Sequence, residues 1–188
     1  MDLHISTDWK GNKFDHDLIH FSLGNEESGL VVNINAPFFN DPKNPGGNRG
    51  EPFDELWEFE VVELFFLDDQ KEEYLEAEFC PHGQHQVLVL KGCRKPWKLN
   101  LELKDFESRI EGNSWTGKAI LPWGYFPENV NKLNAFAIHG SGEKRAYEAL
   151  YPATEPHENP DFHRLQYFQP YKLPEISVGK TRDRKIWE

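Results

Sequence analysis

Residues 53–90, FDELWEFEVVELFFLDDQKEEYLEAEFCPHGQHQVLVL, decide the fold. The run alternates, breaks at Asp68-Asp69-Gln70, alternates again, breaks at Pro81-His82-Gly83-Gln84, and resumes. Period-two alternation between turn residues is the signature of successive antiparallel strands, and Gly83 supplies the positive φ that a tight hairpin needs. Read as a strand from 57 to 67, the first run puts Trp57, Phe59, Val61, Glu63, Phe65 and Leu67 on one face. In the second, Tyr74, Glu76, Glu78 and Cys80 share a face. Glu63 is thus a carboxylate in an apolar row. It either meets a ligand or pairs with a buried Arg or backbone amides, because a carboxylate that loses water must find partners.

The pattern extends outward. Strands are expected at 30–36, 99–103, 115–121, 133–139 and 146–150, with a short helical or turn element at 122–127 whose rings cover an open end of the core. Residues 37–53, rich in Pro, Gly and Asn, form a long loop. About eight short strands with both faces needing cover describe an all-β, two-sheet antiparallel sandwich, placed in one domain over residues 1–173 with a polar, loosely tied tail at 174–188. No Gly-rich phosphate loop follows a strand, which removes the nucleotide-binding folds.

Composition narrows the partners. The chain has 188 residues and a net charge of −11, so it is acidic and repels phosphate backbones and anionic lipid; neither nucleic acid nor a membrane is an expected partner. The N-terminus lacks a secretory pattern, and no apolar run approaches the roughly 20 residues needed to cross a bilayer. The proposed hairpin sets Cys80 and Cys93 on the order of 25 Å apart at strand rise, which predicts two free thiols and a cytoplasmic home. Composition leaves the oligomeric state open.

The ordered series LWEFEVVELFFLDD, YLEAEFCPHGQHQVLVL, WTGKAILPWGYFP, NAFAIHG with KRAYEALYP, and PDFHRLQYF closely resembles a family of uncharacterised proteins typified by the human product of chromosome 4 open reading frame 33. More distantly it is similar to family 9 carbohydrate-binding modules. That second resemblance implies an immunoglobulin-like β-sandwich that holds a sugar between aromatic rings. By its pattern Trp57 takes the place of a sugar-stacking Trp and Glu63 that of a carboxylate accepting sugar hydroxyls, while Phe162 or His163 stands where the modules have a second Trp, just after Glu158 and Asn159. The expected ligand-binding set is therefore Trp57, Glu63, Glu78, Arg145, Glu158, Asn159, Phe162 and His163, with Arg145 folding inward onto Glu63 or Glu78 or remaining a solvated loop charge.

The favoured reading is a non-catalytic protein binding a carbohydrate or similar polar, ring-containing small ligand, with no cofactor. Two alternatives stay open. One is a metal-dependent enzyme using a rim of His82, His85, His139 and His163, which a sandwich can gather at one end. The other is a protein-interaction domain with an aromatic patch.

Overall fold

The computed structural model describes residues 1–174 and 185–188. Among the described residues the strands are β1 (Asp2–Ile5), β2 (Thr7–Asp8), β3 (Ile19–Asn25), β4 (Gly29–Pro37), β5 (Val61–Asp68), β6 (Glu73–Phe79), β7 (His85–Lys91), β8 (Pro96–Lys98), β9 (Phe106–Glu111), β10 (Ser114–Pro122), β11 (Lys132–His139), β12 (Ala146–Ala149) and β13 (Gln169–Pro170). They form two antiparallel sheets, one ordered β1-β3-β4-β10-β9 and the other β2-β12-β11-β5-β6-β7-β8, with β13 also against β11. The expected all-β, two-sheet architecture is the observed one.

The sheets differ in how they are covered. In β4, Val32, Ile34 and Ala36 point inward while Asn35 faces solvent, so the first sheet has one wet face. The strands β5, β6 and β7 are buried on both faces. Val62, Leu64, Phe66, Ala77 and Val87 pack between the sheets against Phe21, Val32 and Trp115. Their neighbours Val61, Phe65, Leu67, Tyr74 and Leu88 form a second apolar layer on the outer face, roofed by Leu56, Phe162 and Phe168. Glu63, Glu76 and Glu78 lie in that outer layer.

Several expectations need correction. The strand predicted from residue 57 starts at Val61; Leu56–Glu58 is a 3-10 turn entered through Glu55, which takes a left-handed φ of 56°. Trp57 therefore shares no strand face with Glu63. Residues 99–103 are not a strand, because Asn100 at φ 52° breaks the extended run, and pairing with β7 is made instead by β8. The strands β1, β3 and β9 went unpredicted. Residues 122–127 behave as expected: Trp123–Tyr125 is a 3-10 turn, with Trp123 and Phe126 in the inter-sheet core.

Most of the tail expected to be loose lies outside the described residues, but its end is anchored. Trp187 is buried in the inter-sheet core, and the Lys91 ammonium and the Trp97 indole N–H donate to the carbonyls of Trp187 and Ile186 at 2.5 and 2.9 Å.

Both cysteines are free, as expected, with Cys80 buried and Cys93 exposed. Burial pushes the Cys80 thiol up to about 12. A thiol reagent is therefore expected to label Cys93 alone in the native protein and both residues after unfolding without a reductant. Counting modified thiols by mass checks this, and fast native labelling of Cys80 would contradict its burial.

Candidate functional site

The floor of the site is the outer face of the second sheet. Cross-strand register lines up Phe136, Glu63, Glu78 and Gln86 in one row, and Phe65, Glu76 and Leu88 in the next. Glu63, Glu76 and Glu78 are 2%, 6% and 0% exposed, three carboxyls on adjoining strands with almost no access to water. Both oxygens of Glu78 lack a hydrogen-bond partner among the described residues. Burial raises the affinity of all three for a proton. Glu76 reaches about 8 despite the opposing charge of Arg94, Glu63 is raised further by Glu76, and Glu78 by Glu63 and Glu76. At neutral pH Glu76 thus presents a carboxylic acid, able to donate one hydrogen bond and accept others, and burial pushes Glu63 beside it toward the same form.

Side chains from distant loops wall this floor into a cleft of about 350 Å³. On one side stands Trp57, 37% exposed. Its 3-10 turn is pinned from below, where the Leu56 N–H donates to the buried Gln86 amide at 2.9 Å. It is pinned from outside by Arg145, whose guanidinium forks to the carbonyls of Trp57 and Glu58 at 2.5 and 2.8 Å. On the opposite rim Arg94 pairs with Asp161 at 2.6 Å, and Asp161 also accepts the His163 N–H at 2.9 Å. The Tyr74 hydroxyl accepts the Arg94 backbone N–H at 3.0 Å and is hydrogen-bonded to His163 Nδ1 at 2.7 Å. Burial pulls the His163 imidazole down to about 4, so it is neutral at pH 7. Leu88, Ile138, Tyr147 and Phe162 supply the apolar surface.

Of the residues expected from sequence, Trp57, Glu63, Phe162 and His163 meet at this cleft. Glu78 sits beneath the floor, fully buried. Arg145 holds the wall and makes no ion pair with Glu63 or Glu78; its charge reaches Glu63 only through space, lowering its proton affinity. Glu158 and Asn159 are exposed, and the Asn159 carbonyl accepts from Arg164. Phe162 is not an exposed platform like Trp57: it is 9% exposed, with its ring stacked on Phe136 at 4.1 Å and 10° and Tyr147 edge-on to it at 6.0 Å. The strand alternation had already placed Glu76 beside Glu78, so its role was available. Arg94, Asp161 and Tyr147 carried no local signal, since each comes from a different part of the chain.

The four histidines of the imagined rim do not meet. His82 packs edge-on against Phe38, and His85 is fully buried, accepting the Leu103 N–H at 3.1 Å. His163 belongs to the cleft, while His139 lies with His16 and Glu148.

Comparison with known proteins gives two results. The chain is 52% identical over 194 residues to the UPF0462 protein C4orf33 of Homo sapiens, covering all of this chain and 96% of the relative. The homologues of Rattus norvegicus and Danio rerio are 51% and 47% identical over 193 and 180 residues, spanning 100% and 94% of this chain and 96% and 91% of their own. Among solved structures, a Bacteroides uniformis protein proposed to bind carbohydrate superposes with a TM-score of 0.64 over 90% of this chain and 84% of its own, at 12% identity. That similarity is one of fold. No family model matches the chain.

Proposed function

The chain belongs to the UPF0462 family, and we propose that its cleft binds a carbohydrate, or a similarly polar ring-containing small molecule, without transforming it. The observation that carries this reading is the exposed Trp57 ring at a cleft floored by Glu63 and Glu76, two buried carboxyls for which a bound molecule would supply partners. A pyranose presents C–H groups to an aromatic face and hydroxyls around its edge. The ring of Trp57 suits the first, and neutral acids that both donate and accept suit the second. A cleft of about 350 Å³ lies at the small end of the range of about 300–1,000 Å³ typical of small-molecule sites, which favours a mono- or disaccharide over a polymer.

Binding is favoured over hydrolysis by the state of the carboxyls. A glycosidase needs one ionised carboxylate as nucleophile or base opposite an acid. Here burial holds both Glu63 and Glu76 toward the neutral form. The shared fold with a protein proposed to bind carbohydrate is consistent with this reading. The two free thiols support a reducing compartment, so we place the protein and its ligand in the cytoplasm.

Calorimetric titration with a panel of mono- and disaccharides tests the proposal. Trp57→Ala is expected to weaken binding by roughly 1–3 kcal/mol, as for an aromatic hot spot, with an unchanged melting temperature because the ring is already exposed. No binding across the panel, or full affinity in the variant, would overturn it.

A further inference from the structure

The strands that wall the cleft carry a second cluster on their other face. Ile138 and Tyr147 are cross-strand partners lining the cleft. Their chain neighbours His139 and Glu148 point the opposite way, where the loop residue His16 joins them. His16 Nε2 and His139 Nε2 each lie 2.8 Å from the same oxygen, Glu148 Oε1, and the three ligand-type atoms fall within 4.8 Å of one another. Among the described residues no other group of three His, Cys, Asp or Glu converges in this way.

Three features mark the cluster as a built site. The first is orientation: His16 Nδ1 donates to the Asp17 carbonyl at 2.8 Å, which aims Nε2 at Glu148 Oε1, where the two atoms share a proton at 2.8 Å that a metal ion would displace. An outer hydrogen bond of this kind is how metal-ligating histidines are commonly fixed. The second is rigidity, since Phe14 stacks on His16 at 3.9 Å and 10° and Phe39 on His139 at 3.7 Å and 4°. The third is an unmet need. Glu148 is 2% exposed and its Oε2 has no partner among the described residues, whereas the carboxyl of the neighbouring Glu60 is held by the Phe39 and Asp41 N–H groups.

We propose that His16, His139 and Glu148 bind one divalent transition-metal ion of the zinc class. Two imidazoles and a carboxylate are the three-protein-ligand set of zinc sites that keep a fourth position for water. The nitrogen ligands favour Zn²⁺ over Mg²⁺ or Ca²⁺, which prefer all-oxygen shells. The imidazole side chains are 18% and 13% exposed, so the fourth position is open to solvent. The ion ties the loop bearing His16 to β11 and β12, directly behind the cleft wall.

The rival occupant is a proton shared between the histidines and Glu148, and metal titration separates the two. Untagged full-length protein, stripped with a chelator and desalted, is titrated with Zn²⁺ by calorimetry and, in parallel, with Co²⁺ followed by its visible absorption. One equivalent of Zn²⁺ is expected to bind and raise the melting temperature, and Co²⁺ is expected to give the intense bands of a low-coordinate site. Even outer-shell changes cost about 10–100-fold in metal affinity, so His139→Ala and Glu148→Gln are expected to cost at least as much. His16→Gln, on a loop and still able to hydrogen-bond, removes one ligand with the strands intact and covers the case in which the other variants fail to fold. His82→Ala, outside the cluster, is expected to leave the affinity unchanged. Absent or non-stoichiometric binding, or full affinity in His16→Gln, would overturn the proposal without bearing on the cleft.

Discussion

Glu76→Gln is expected to stabilise the protein by about 3 kcal/mol at pH 7 and by almost nothing at pH 4. The effect arises in the unfolded chain. Folded, the Glu76 carboxyl is held up at about 8 by burial, against an ordinary value of 4.5, so between those values the folded state keeps a proton that the unfolded state releases. Stability therefore falls as pH rises through this window, by about 1.4 kcal/mol per unit, which reaches about 3 kcal/mol at pH 7. Gln has nearly the same shape and no proton to lose, so the variant escapes that loss. Glu63 and Glu78 are shifted in the same direction and steepen the wild-type decline. His85 and His163 act oppositely, since both are pulled down to about 4 and so cost stability only when the pH falls below the ordinary histidine range. Urea unfolding of both proteins at unit steps from pH 4 to 8 measures the difference. Parallel profiles would show that Glu76 ionises in the folded protein, and with it the neutral floor of the cleft would be lost.

How legible this was from the sequence depends on the range of the interaction. The hairpins of β5, β6 and β7 were readable because alternation and the Gly83 turn act between near neighbours, and the same alternation set Glu63 and Glu78 against each other across the pair. Trp57 lines the cleft, though not from the strand that its spacing predicts. Its segment keeps the strand period, yet the left-handed Glu55 and the Gln86 amide hold it as a 3-10 turn that brings the ring to the cleft from the side. Arg145 was expected to seek a carboxylate, but three backbone carbonyls, of Trp57, Glu58 and Gly140, satisfy it instead. Backbone acceptors are invisible to a search for opposite charges. The Arg94–Asp161 pair spans 67 positions and His16–Glu148 spans 132, and neither separation leaves a periodic trace. The missed strands β1 and β9 lie at opposite edges of the first sheet; both alternate, but over only 4 and 6 residues, too short a run to stand out.

Arg145→Ala is expected to cost about 3 kcal/mol of stability and also to weaken binding at the cleft at least tenfold, although the side chain does not line it. Each hydrogen bond from a charged donor contributes about 1.5–3 kcal/mol, and Arg145 makes its shortest ones to the successive carbonyls of Trp57 and Glu58. It also lies over Tyr147 at 5.7 Å, so one guanidinium links two walls of the cleft. Without it the 3-10 turn is held only from below, by Gln86 and the buried Leu56, and Trp57 loses the fixed orientation that a stacking platform requires. Arg145→Lys sharpens the test, because an ammonium keeps the charge near Glu63 but lacks the planar fork that reaches both carbonyls in fixed geometry. It is expected to recover part of the stability and little of the affinity. Chemical denaturation and saccharide titration on the same preparations give both quantities. If stability falls while affinity is kept, Trp57 does not act as the platform and the binding proposal loses its main support; if neither changes, the forked contact does not hold the wall.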